Sequence, residues 1–148
     1  ARAISVEVAL AGASSITIVN RSSSRGEELT ALLNDKLPSR AEFESWEGTY
    51  SIPSDTEVVI NATSIGLFPD LDARLDFDPD SLLASMVVAD VIPNPPVTHL
   101  VRDARAKGCK VIDGLGMLVN QGVIGINHWT GVDPDPLVMR AALEEVFD

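Results

Sequence analysis

Asn20-Arg21-Ser22-Ser23-Ser24-Arg25 follows directly on the apolar run Ser15-Ile16-Thr17-Ile18-Val19, and these are residue types that grip a nucleotide phosphate. In dinucleotide-binding folds an acidic residue at the end of the second strand hydrogen-bonds a ribose 2′-OH. A neutral residue with arginines nearby instead accommodates a 2′-phosphate. Here the strand-end residue is Asn20, and Arg21 and Arg25 bring the charge. A guanidinium stays ionised and holds phosphate oxygens bidentately. The pattern therefore predicts NADP(H) rather than NAD. Taken alone it leaves a second reading open: Ser22 as the N-cap of an exposed helix whose arginines are merely solvated.

The order of elements favours the nucleotide. Residues 1–11 (ARAISVEVALA) are helical in pattern, with Ile4, Val8 and Ala11 on one face and Gly12 as the stop. Strand 15–19 and a helix over 24–34, with Leu29, Leu32 and Leu33 inward, come next. A short strand over 41–46 would bury Phe43 and Trp46. Buried strands are expected over 57–62 (EVVINA) and 86–91 (MVVADV), then a helix over 98–106, a strand from 110 to 112, and helices over 117–129 and 136–147. The segment 69–79 (PDLDARLDFDP) reads as a mobile surface loop. Strands alternating with helices at these lengths predict an α/β fold, a Rossmann-like doubly wound parallel sheet.

Composition narrows the partners. A chain of 148 residues with net charge −11 is one domain's length, and its charge argues against nucleic acid or an anionic membrane surface. No apolar run of roughly 18 residues predicts a membrane-spanning helix. The start of the sequence does not resemble a signal peptide, so a cytoplasmic protein is expected. The single cysteine, Cys109, precedes a predicted strand and reads as a small buried hydrophobe. His99 and His128 lack ligand spacing, so no metal is expected. Two further things are missing. A nucleotide-binding domain opens with a strand and a Gly-rich turn whose N–H groups meet the pyrophosphate, whereas this sequence opens on a helix and contains no G-x-G-x-x-G. The expectation is a fold truncated at its first strand.

Four segments in order resemble the C-terminal, NADP-binding half of the shikimate dehydrogenase family. Asn20-Arg21-Ser22-x-x-Arg25 matches N-R-T/S-x-x-R; Asn61-Ala62-Thr63-Ser64-Ile65-Gly66 matches N-A-T-S-x-G. Asp113-Gly114-Leu115-Gly116-Met117-Leu118-Val119-Asn120-Gln121 matches D-G-x-x-M-L-x-x-Q, and Trp129-Thr130-Gly131 falls in register before the closing helix. From spacing alone, Asn61–Gly66 would be a strand-to-loop turn capped by Ser and Thr. The resemblance makes Ala62, Thr63 and Ser64 cofactor contacts, with Thr63 and Ser64 as donors. It likewise implies that Gly114, in a turn before the helix, lets the nicotinamide approach, that Met117 packs against the ring, and that Val91 lines the same pocket. It implies that Gln121, one turn beyond Met117, hydrogen-bonds the substrate.

The implied reaction is reversible hydride transfer between NADP(H) and a ring carbonyl, 3-dehydroshikimate to shikimate in the typical member. The substrate would be a small cyclic hydroxy acid, and a homodimer stays open. The family's catalytic Lys and Asp belong to an N-terminal substrate domain, so no catalytic residue is assigned in this chain. One departure stands out. Where the family usually has hydrophobic-Tyr-Asn-Pro, this sequence has Ile92-Pro93-Asn94-Pro95. Proline carries no hydroxyl, so a phenol contact to substrate is lost. Quinate, an amino analogue or another cyclic hydroxy acid thus becomes an alternative substrate, and a non-catalytic NADP-binding module a third reading.

Overall fold

The computed structural model describes residues 1–147, and the chain divides into two compact units, Ala1–Tyr50 and Ser51–Asp148. In the first, helix α1 (Arg2–Leu10) precedes strand β1 (Ser15–Asn20), helix α2 (Ser23–Lys36) and strand β2 (Arg40–Ser45). β1 and β2 pair in parallel, with Ile16 opposite Ala41 and Ile18 opposite Phe43. The alternation in β1 sends Ile16 and Ile18 inward, where they pack against Leu29, Leu33 and Ala41. Leu29 and Leu33, one turn apart on α2, share a face as the 3.6-residue period requires. Asn34 then locks α2 to the edge strand: its amide donates to the Ala41 carbonyl and accepts from the Ala41 N–H, both at 2.9 Å.

Two readings of this unit are corrected. The inward face of α1 is Ser5 and Ala9, with Ile4 and Val8 half-buried beside it and Ala11 exposed. Small residues at i and i+4 let this helix sit close to its neighbours, so the largest apolar side chains flank the contact. Trp46 lies just past β2, half-buried, edge-on to Tyr50 with ring centroids 6.4 Å apart.

The second unit holds a three-stranded parallel sheet in the order β3 (Val58–Asn61), β4 (Val87–Asp90), β5 (Lys110–Ile112). Helix α3 (His99–Ala106) connects β4 to β5, and helices α4 (Gly114–Thr130) and α5 (Pro136–Phe147) follow. Leu82, Met86, Val88, Leu100, Ala104 and Cys109 form the core. Cys109 is buried as expected, its thiol directed at the Leu83 carbonyl. Segment 69–79 is more than a surface loop, because its Leu75 and Phe77 pack against that core. β3 is not a fully buried strand: Val58 is 49% exposed, and Val59 and Ile60 are only partly covered.

Every strand pair is parallel. α-Helices connect β1 to β2 and β4 to β5, whereas β2 leads to β3 with no helix and β3 to β4 with only a short 3-10 turn (Pro79–Ser81). Among the described residues β1 pairs only with β2, and β3 only with β4. Each therefore keeps one hydrogen-bonding edge free of another strand among the described residues.

Gly26 gives a test of the packing in the first unit. A Cβ there would overlap the Phe43 ring. Alanine is intrinsically favoured over glycine in a helix by about 1 kcal/mol, so propensity predicts stabilisation, whereas overpacking costs about 1–3 kcal/mol. With the overlap at the ring itself, the steric term wins. Gly26→Ala is expected to lower the urea midpoint; a raised midpoint would show that Phe43 simply swings away.

Candidate functional site

In the first unit the candidate site is the junction of β1 and α2. Asn20 ends the strand, and its side-chain oxygen accepts from the Ser22 N–H at 3.0 Å, a tight turn that starts α2 within two residues. Ser22 is the N-cap, yet its side chain makes no capping hydrogen bond and only meets the Ser24 hydroxyl at 3.4 Å. The first-turn N–H groups of α2 are therefore not satisfied by the capping side chain, and the positive end of the helix dipole accompanies them. Arg21 and Arg25 are exposed, and neither has an ion-pair or hydrogen-bond partner among the described residues. Arg2, Lys36 and Arg40, the other cations of this unit, are paired with Glu28, Asp35 and Glu42. The two arginines of the motif are thus the two left available. Free guanidiniums, uncapped N–H groups and serine hydroxyls at one strand end suit a phosphate dianion.

In the second unit the candidate residues sit at the C-terminal ends of β3, β4 and β5, the edge at which open α/β sheets bind ligands. Asn61 ends β3. Its side-chain oxygen accepts from the Thr63 N–H at 3.0 Å and from the Thr63 hydroxyl at 2.8 Å, while Thr63 Oγ1 accepts from the Ile65 N–H. The hydroxyl proton of Thr63 is therefore committed within its own turn. The expectation that Thr63 donates to a ligand is corrected: it shapes the loop. Ser64 is exposed, and its hydroxyl has no partner among the described residues. Ala62 is half-buried between them. Val91 follows β4, half-buried, its N–H donating to the Asn61 carbonyl at 3.1 Å.

Gly114 is also corrected. Residues 114–117 are not a turn before the helix but its first turn, because Asp113 is the N-cap and accepts from the Gly116 N–H at 2.9 Å. Gly114 is buried, and a Cβ on it would overlap the Ile92 backbone. The close approach that demands glycine is made by this protein's own chain. Met117 and Gln121 share a face of α4, as their spacing predicts, and both line an open groove of about 540 Å³. Val111–Asp113, Gly116, Asn120, Ile124 and Arg140 complete its walls.

The sequence reading missed Arg140. From α5 it donates to both carboxylate oxygens of Asp113, at 3.1 and 2.8 Å, and also to Glu144 at 2.8 Å. Its hydrogen bond to Asp113, reinforced by the Gly116 N–H and by nearby Arg105, holds that carboxyl below its ordinary value against the opposing effect of burial. The buried pair of Asp90 and Thr98 was missed as well. Both faults have one cause: partners 27 and 8 residues apart leave no local pattern. Among the described residues no cluster of His, Cys, Asp or Glu suits a metal ion, and no helix is long and apolar enough to cross a membrane.

Comparison with known proteins agrees with the motifs. The model of the shikimate 5′-dehydrogenase C-terminal domain matches residues 114–144. The shikimate dehydrogenase (NADP(+)) of Methanocaldococcus jannaschii is 36% identical over 144 residues, 97% of this chain and 50% of that protein. The chain spans about half the length of the curated relatives it matches. Among solved structures, the ligand-free 5-ketofructose reductase of Gluconobacter sp. strain CHM43 superposes with a TM-score of 0.92 at 53% identity, over 99% of this chain and 52% of that one. A Thermus thermophilus shikimate 5-dehydrogenase in complex with NADP(H) and shikimate gives 0.71 at 28%, over 92% and 47%.

The Asp113–Arg140 pair carries a pH prediction. A carboxyl whose folded pKa is depressed stabilises the fold above its unfolded value, near 3.8, and loses that contribution as pH falls through the folded one. Asp113→Asn keeps an N-cap oxygen but loses the ion pair. At pH 7 it should cost about 1 kcal/mol, discounted because Arg140 is 35% exposed. In urea titrations the gap between wild type and variant should narrow progressively as pH falls below 3.8. A gap of equal size at both pH values would contradict this account.

Proposed function

We propose that this chain, which corresponds to the C-terminal half of shikimate-dehydrogenase-type proteins, supplies the NADP(H)-binding part of an oxidoreductase. The observation that carries the cofactor assignment is the pair Arg21 and Arg25, left unpaired at the end of β1 beside an uncapped helix N-terminus. In this reading Asn20, Arg21, Ser22 and Arg25 hold the 2′-phosphate. Ser64 and the backbone of Ala62–Thr63 hold the cofactor at the end of β3, with Val91 and Met117 forming walls toward the nicotinamide and Gly114 setting the close packing of α4 on Ile92 behind them. When bound, the cofactor supplies the hydride chemistry. The residues of this chain bind and orient it and offer Gln121 to the substrate. The proton-handling group is assigned to the half of the protein that the relatives possess beyond this match.

The reaction is hydride transfer from NADPH to a ketone and its reverse. The typical family substrate is 3-dehydroshikimate, with quinate as a variant. A specific observation favours another ketone. Identity to the ketofructose reductase is 53%, against 36% or less for the shikimate dehydrogenases compared. The groove around Gln121 agrees: the cation in its wall, Arg140, is committed to Asp113 and Glu144, while Asn120 and Gln121 present neutral amides. Such walls suit hydroxyls and a carbonyl better than a carboxylate, and Pro93 removes the phenol of the usual motif. We therefore assign a neutral polyhydroxy ketone of the 5-ketofructose kind as the substrate class.

Two measurements on the full-length protein test this. Arg21→Ala should lower the preference for NADP over NAD by about tenfold or more, since a charged phosphate contact is worth about 1.5–3 kcal/mol; an unchanged ratio removes the 2′-phosphate assignment. With NADPH, kcat/KM for 5-ketofructose should exceed that for 3-dehydroshikimate. The reverse order would return the protein to shikimate chemistry.

A further inference from the structure

Asp90 is 3% exposed and sits at the end of β4, the middle strand of its sheet. Taking an ionised carboxylate out of water is costly unless its lone pairs are used. Here three donors meet it. Asn61 Nδ2 and the Ile92 N–H donate to Oδ1 at 3.0 and 3.1 Å, and the Thr98 hydroxyl donates to Oδ2 at 2.6 Å. Each partner reaches onward. Asn61 organises the turn through Thr63 and Ile65. Thr98 is the N-cap of α3, accepting from the Val101 N–H at 3.2 Å. Ile92 lies 2% exposed, and its backbone fills the space that Gly114 leaves at the start of α4. One buried carboxylate thus joins the loop after β3, the loop after β4, the N-terminus of α3 and, through Ile92, the first turn of α4.

We infer that Asp90 is a positioning residue for the cofactor: it touches no ligand itself but fixes the Ala62–Ser64 loop relative to Val91. The inference rests on the NADP(H) reading of those loops. Its mechanism is simple. Loops at strand ends have few apolar contacts of their own, and a charge-assisted bond at each anchor restricts them more strongly than a neutral one. Small displacements of positioning groups carry large penalties in binding and rate.

The experiment uses full-length protein, with NADPH titrated by its fluorescence and kcat measured at saturating NADPH. Asp90→Asn offers a single acceptor oxygen to three donors in the same volume. Thr98→Val removes one anchor, and Thr98→Ser retains its hydroxyl. Asp90→Asn and Thr98→Val are each expected to raise the Kd for NADPH about tenfold, with kcat within about threefold, and Thr98→Ser should return the Kd to within about twofold of wild type. If Asp90→Asn fails to fold, the Thr98 pair decides. A merely structural role would lower the melting temperature of both variants while leaving the NADPH Kd within about twofold of wild type, and that result overturns the inference. Wild-type protein that binds no NADPH would overturn the cofactor reading itself, a separate outcome.

Discussion

A carboxylate buried at the C-terminal edge of a parallel sheet constrains everything around it. Desolvation makes Asp90 unfavourable unless donors arrive from several directions, and the three that arrive come from three different segments. Parallel strands end together at one edge, and their loops start there without a ladder to hold them. Beneath this edge, Val88, Met86 and Leu100 provide apolar burial, which is strong but non-directional. The hydrogen-bonded carboxylate adds direction. It sets where Asn61 turns, where α3 begins and where the Ile92 backbone meets Gly114.

Charge is distributed with similar economy in the first unit. Arg2, Lys36 and Arg40 are neutralised by exposed acidic partners. Such surface pairs contribute little to stability, but they leave Arg21 and Arg25 as the cations without partners there. In a chain of net charge −11 this matters, because a diffuse negative field repels phosphates and only a local, unscreened cation pair can reverse it. The uncapped N-terminus of α2 adds to the same local field. In the second unit Arg140 does the opposite, tying α5, which has no fully buried residue, to the N-cap of α4.

The sequence made the alternation of elements legible, because apolar periodicity is a local property: the pairing faces Ile16/Ile18 and Leu29/Leu33 follow from period alone. The motif segments also fall where expected, at strand ends. What was not legible depends on partners distant in sequence. Thr63 has the chemistry of a ligand donor, and only the position of Asn61 Oδ1 shows that its proton is already committed. Gly114 looks like a turn residue until Asp113 is seen to cap α4 and Ile92 to occupy the missing Cβ position. Val58 has the composition of a core strand, yet exposure is decided by the neighbouring strand, and β3 has one on a single side. Asp90 inside MVVADV reads as an ordinary polar strand end.

The same distinction bears on substrate choice. A site built around a hydrogen bond rejects analogues lacking it far more strongly than an apolar pocket rejects a size change. In the proposed reading, Pro93 in place of a phenol relaxes selection of the substrate rather than merely reshaping its site. What remains beside Met117 is amide chemistry from Asn120 and Gln121, able to donate and accept but carrying no charge. Arg140 cannot substitute for a carboxylate-binding cation without giving up Asp113, and with it the N-terminus of α4 that presents Met117 and Gln121. The ion pair that fixes the helix thus also leaves the groove's cation already neutralised by Asp113 and Glu144. A neutral polyol ketone asks for neither charge nor phenol, which is the physical ground on which that substrate class is proposed.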